Sequence, residues 1–161
     1  HSLDRRQRQM CIRDRDKKGG TSIEYVRQFL KGKFPAAPKF AVLISDVKDV
    51  AKSHVACIRN KKVGGRRLIV GKEVKKLVEL SQIMAEAMPE YAKKVPKKEL
   101  PNFVVKLISY IDSSAKTMIP DLGIMMQTDS TYAEDLLGLK FKGAKDCISE
   151  NAKSVVKLGL V

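Results

Sequence analysis

Asp46 and Asp49, with His54 five positions further on, come nearest to a catalytic set in this chain. Two carboxylates three apart at a helix start can act as a general acid and base. They also suit a helix start for a plainer reason: Ser45 or Asp46 can cap it, and Asp49 places a second carboxylate in the first turn, where the helix dipole favours it. Capping explains both, so the acid/base pair ranks second. His54 falls on the apolar side of that helix, which fits packing better than catalysis. Other chemistries leave fewer traces. The only other histidine is His1, and no HExxH, CxxC or GxSxG pattern is present. The pairs Gly19-Gly20 and Gly64-Gly65 do not form a GxGxxG turn or a P-loop between a strand and a helix. No tyrosine has a lysine four positions later: Phe29, Val95, Ser114 and Leu136 follow Tyr25, Tyr91, Tyr110 and Tyr132. The expectation is a chain with no catalytic, cofactor-binding or metal-ligating residues of its own.

The elements that position this stretch are legible. Phe40-Ala41-Val42-Leu43-Ile44 is an apolar run of strand length. After it, Val47, Val50, Ala51, His54, Val55 and Ile58 recur at helical spacing and define the side expected to face the core, with Lys48, Lys52, Ser53 and Arg59 turned away. Upstream, Thr21 or Ser22 caps a helix carrying Ile23, Val26, Phe29 and Leu30, and Gly32 stops it. Pro35 and Pro38 make the next segment semi-rigid, either a connecting loop or a lip on the substrate side. Downstream, Arg66–Val70 reads as a short strand and Glu73–Met88 as a helix with Val74, Leu77, Val78, Ser81, Met84, Ala85 and Met88 on one face; its methionines are core filler. Pro101 opens a helix continued by Phe103, Val104, Leu107, Ile108 and Ile111. Asp112-Ser113-Ser114 breaks it and can cap a short helix through Met118. Ile124–Thr128 is a possible third strand, Asp129-Ser130 caps a helix over Tyr132–Leu137 ended by Gly138, and a last helix runs from Ala144 to Leu158.

One domain is the default for 161 residues. The apolar runs are broken by charge, as at Lys106, before they reach membrane-spanning length. Cys11, Cys57 and Cys147 lie far apart, which fits reduced thiols in a cytoplasmic protein better than a disulfide framework or a zinc site. The net charge of +14 invites a nucleic-acid partner. The lysines are scattered, however, and no aromatic-basic motif or zinc finger accompanies them, so a solvated lysine-rich surface is expected, with no nucleic-acid or membrane partner.

Residues 1–15, HSLDRRQRQMCIRDR, carry five arginines and two aspartates without periodicity. Arg5 to Asp14 is the translation of CGTCGGCAGCGTCAGATGTGTATAAGAGAC, which resembles a transposase-type sequencing adapter. The expected organisation is therefore a non-native tail over 1–15 and natural sequence over 16–161, cut on its N-terminal side.

Gly32-Lys33-Phe34-Pro35-Ala36-Ala37-Pro38, then Asp46-Val47-Lys48-Asp49-Val50-Ala51 and Ser53-His54, resemble the C-terminal half of extended short-chain dehydrogenase/reductases. The branch they are most similar to is the dihydroflavonol-reductase-like one of the NAD-dependent epimerase/dehydratase group. Gly65–Val70, Leu100-Pro101, Asp112, Leu122-Gly123, Asp129-Ser130 with Ala133, and Leu137-Gly138 follow in the family's order. Lys48 stands where the family usually has arginine, and an ammonium lacks the bidentate fork that a guanidinium offers a carboxylate. Ser45 replaces a usual apolar residue.

The resemblance implies an α/β fold: a truncated C-terminal portion of an extended Rossmann-type reductase, mostly helical with about three short strands, and with the nucleotide-binding half missing. The implied parent transfers hydride between NADP or NAD and a carbonyl or hydroxyl substrate, with a tyrosine as acid/base and a lysine beside it, both outside this chain. Phe34 and Pro38 in the lip and Leu43 on the strand are the implied contacts to a small-molecule substrate. This portion alone is expected to be inactive, to bind no cofactor and to be poorly stable. A sugar-nucleotide epimerase or dehydratase parent, or a free-standing basic binding module, are the alternatives.

Overall fold

Apolar residues at helical spacing and a glycine stop produce the first element of the computed structural model, which describes residues 21–110, 119–125 and 127–161. Helix α1 is Thr21–Leu30, with Val26, Phe29 and Leu30 buried. Glu24 in its first turn accepts hydrogen bonds from Arg27 and Gln28 at 3.0 and 2.8 Å. Gly32 ends it in the left-handed region at φ 72°, so that its N–H reaches Phe29 O and Lys33 N–H reaches Gln28 O. This double closure satisfies the last carbonyls and needs a residue tolerant of positive φ.

Two small sheets follow. Strand β1, Ala37–Pro38, pairs in parallel with β4, Glu99–Leu100. Strand β2, Ala41–Ile44, pairs antiparallel with β3, Glu73–Lys76, with Ala41 opposite Lys76 and Ile44 opposite Glu73. Helix α2, Val47–Arg59, leaves β2 through Asp46, whose Oδ1 accepts the Lys48 N–H at 2.7 Å. Helix α3, Leu77–Ala87, starts directly from β3: Leu77 N–H donates to Phe40 O, and the Glu79 carboxylate accepts the Lys76 N–H at 2.7 Å. Helix α4 is Asn102–Ile108, α5 is Thr131–Leu137 and α6 is Ala144–Lys157. Gly138, at φ 63°, ends α5 as expected.

The core lies where α6 crosses α1 and α3. Phe29 and Leu30 of α1, Leu77, Leu80 and Met84 of α3, and Ile148, Ala152 and Val155 of α6 meet over Ala37, Phe40 and Ile44. Each large apolar side chain buried there contributes roughly 1.5–3 kcal/mol. Ala144 and Ala152 have no exposed surface, and their small size lets α6 approach its neighbours closely.

The fold class matches the expectation: an α/β chain dominated by helices, with short strands. Four details differ. Arg66–Val70 is not a strand. Glu73–Lys76 is a strand rather than the first turn of a helix, because β2 needs a hydrogen-bonding partner and Glu79 stops the helix from growing backwards. No strand forms among the described residues of Ile124–Thr128; the preceding Gly123 N–H is instead tied to Lys39 O at 2.7 Å. On α2, Lys48, Lys52 and Arg59 face outward as expected, but the apolar side does not face the core. Val47, Val55 and Ile58 are exposed, as are Ala51 and His54, while Asp49 and Ser53 are buried. Ile111, the short helix expected through Met118 and the 1–15 tail lie outside the described residues.

Candidate functional site

Phe34, Pro38 and Leu43 take three different positions. Phe34 is half-buried, with its ring 5.5 Å from Phe29 in an edge-on contact. Pro38 is buried in β1 opposite Leu100, where it serves the sheet. Leu43 is half-buried on β2, and its Cγ stands only 2.8 Å from where a Cβ on Gly71 would lie. Of the three, Phe34 borders a concavity whose lining includes neither Pro38 nor Leu43.

That concavity, of about 590 Å³, lies between the end of α1 and the segment that leads into β4. Lys31, Gly32, Phe34 and Pro35 form one side. Lys93, Lys94, Val95, Lys97 and Lys98 form the other. Backbone geometry brings the sides together: Ala37 N–H donates to Lys98 O at 2.9 Å, and a Cβ on Gly32 would stand 3.3 Å from Lys94 Cβ. The buried Ser81 hydroxyl donates to Pro96 O, and buried Val95 inserts into the core. Lys94 Nζ sits 5.3 Å from the centroid of the Tyr91 ring, a cation–π contact. Among the described residues no carboxylate lines the concavity. The sequence signal for this cluster was the pair of doublets, Lys93-Lys94 and Lys97-Lys98, around Val95-Pro96, with Lys31 beside Gly32.

The carboxylates that looked nearest to chemistry are structural. Asp49 Oδ2 accepts the Lys142 N–H at 2.6 Å, and Asp46 Oδ2 lies 3.1 Å from Lys142 Nζ. Lys142 also pairs with Glu150 at 2.9 Å, and these contacts raise its pKa. Burial pushes the Asp46 carboxyl up, but the Lys48 N–H and the Lys142 ammonium outweigh it and hold its pKa below the ordinary value. Buried Cys147 sits beside this junction; burial first, and the Asp46 charge second, push its thiol up to about 11. That leaves it protonated and unreactive near neutral pH. His54 is exposed, with Nδ1 2.7 Å from Val50 O, an arrangement that suits N–H donation. Together these contacts tie α2 to α6 and the segment before it; none points at an open cleft.

The outward side of α2 carries a second depression of about 500 Å³, lined by Ala51, Lys52, Val55, Ala56, Arg59 and Leu139. Among the described residues there is no cluster of metal-ligating side chains. No helix among them is long and apolar enough to cross a membrane.

No protein-family model and no curated protein matches the chain. Solved structures do. The Candida albicans Gre2–NADPH complex superposes with a TM-score of 0.65 at 20% identity, over 90% of this chain and 39% of that one. Yeast methylglyoxal/isovaleraldehyde reductase Gre2, also complexed with NADPH, gives 0.60 at 24% identity, over 90% and 43%. The structure of gox2253 gives 0.70 at 17% identity, over 98% and 55%. The chain thus spans from about two fifths to just over half the length of these three structures, and what it shares with them, the Gre2 reductases included, is the fold of one portion, as the C-terminal landmarks of its sequence implied.

Proposed function

We propose that this chain is the substrate-side, C-terminal portion of an NAD(P)-dependent oxidoreductase acting on a carbonyl or hydroxyl substrate, of the dihydroflavonol-reductase-like branch. The observation that carries the reading is the partial superposition: nearly the whole chain fits reductase structures of which it spans only a part. The α2 surface supports it. Val47, Val55 and Ile58 form an apolar stripe beside the Ala51–Leu139 depression. A nucleotide-binding half is the partner of matching chemistry: it is the part the neighbours have and this chain lacks, and its packing would remove that stripe from water. In the intact protein that half supplies the nicotinamide cofactor site and the tyrosine and lysine of the proton relay. This half closes the substrate side and joins through β2 and α2.

Sequencing the source DNA upstream of codon 16 tests the proposal. It expects an in-frame glycine-rich strand-to-helix turn and a Tyr-x-x-x-Lys, and NADPH or NADH oxidation by the full-length product with small aldehydes or ketones. An in-frame start codon near Asp16 without them, or a full-length product that turns over sugar nucleotides and no carbonyl, overturns it.

A further inference from the structure

The lysine-lined concavity at the end of α1 is not explained by a reductase reading. Six other lysines, Lys52, Lys72, Lys75, Lys76, Lys142 and Lys145, have carboxylate partners within 4 Å. Lys31, Lys93, Lys94, Lys97 and Lys98 have none among the described residues, yet all five border the same 590 Å³ space. Five like charges gathered without a counter-charge repel one another, and a bound polyanion removes that repulsion. The backbone that carries four of the five is pinned by the Ser81–Pro96 hydrogen bond, by Val95 in the core and by β4 pairing with β1, while the lysine side chains themselves are exposed. The volume is that of a small-molecule site. Lysine is a point-charge binder of phosphate groups, and Phe34 with Pro35 offers an apolar wall for an organic moiety.

We propose that this basin binds a small diphosphate-bearing molecule. Lys31 reaches it from the end of α1, and Lys93, Lys94, Lys97 and Lys98 reach it from the opposite wall. The nine residues that line the basin all lie within this chain, so the binding test needs no nucleotide-binding half, and its failure leaves the reductase reading standing.

The test uses the 161-residue chain and inorganic pyrophosphate as the probe, titrated at low ionic strength and followed by amide chemical shifts. Saturable binding is expected, with shifts confined to 31–35 and 93–98. The triple variant Lys31→Gln, Lys97→Gln, Lys98→Gln should bind about tenfold more weakly or worse, since it removes three charge-assisted contacts. Lys48→Gln, Lys61→Gln, Lys62→Gln, which removes the same charge from exposed positions elsewhere, should bind as the parent does. Equal weakening by the two triples would mean diffuse attraction to a basic protein and overturn the site. So would an absence of saturable binding, or shifts centred outside the basin.

Discussion

Buried polar groups at the junction of α2 with the 139–143 segment divide into those with partners and one without. Asp49 is buried and accepts the Lys142 backbone N–H. Ser53, one turn along the same face, is buried with an Oγ that has no hydrogen-bond partner among the described residues. Asp49→Ala leaves the Lys142 N–H without its acceptor and should cost about 1–3 kcal/mol, with Asp49→Asn costing less because an acceptor remains. Ser53→Ala removes only an unpaired hydroxyl and should be neutral or stabilising. Denaturant midpoints of the three variants check this. Asp46 adds a pH dependence. Its folded pKa lies below the ordinary value of 3.8, so its contribution is present above that value and lost as pH falls through the lower folded pKa. Asp46→Asn should therefore flatten the acid limb of a melting-temperature profile below about pH 4. The sequence offered Ser45 or Asp46 as the cap, of which Asp46 serves, and demoted both carboxylates from catalysis. The partner across the fold, Lys142, was not legible, because nothing in the spacing of residues 46 and 142 ties them together.

Elements whose local signals agreed were read correctly. Helix α1 has both its apolar spacing and its glycine stop, and α6 has Ile148, Ala152 and Val155 at helical intervals, so local preference and packing point the same way. Glu73–Lys76 lacked that agreement. Val74 fits the helical face of Leu77 and Val78 as well as it fits a strand, and only the pairing with β2 decides between them. Gly71, which precedes that strand, went unread, and it is a sharp constraint. A Cβ there would lie 2.7 Å from Ser45 Oγ, 2.8 Å from Leu43 Cγ and 2.9 Å from Ile44 O. Gly71→Ala should push β2 and its neighbour apart and cost about 1–3 kcal/mol, seen as a lower melting temperature and loss of amide protection in 41–44 and 73–76. Leu43, the residue implied as a substrate contact, also supplies through its Cγ one of the contacts that make Gly71 necessary.

At the scale of the whole molecule, periodicity shows which residues share a face but not whether anything covers it. Helix α2 shows the difference, since its apolar residues do share a side, and that side is open: Ile58 is 86% exposed and Val47 62%. The charge has the same lesson in reverse, because five of the lysines, four of them within 93–98, border one basin that a count of net charge cannot show. The open α2 side makes a prediction that separates this chain from its proposed parent. Val55→Gln with Ile58→Gln replaces exposed side chains, so in the present chain stability should change by no more than about 0.5 kcal/mol, while self-association falls. In the full-length protein the same pair would sit against the nucleotide-binding half and should cost at least about 2 kcal/mol. Paired thermal melts with sedimentation velocity on both proteins decide it. Equal, small effects in the two would mean that the α2 stripe stays exposed in the parent, and that the joint between the halves lies elsewhere.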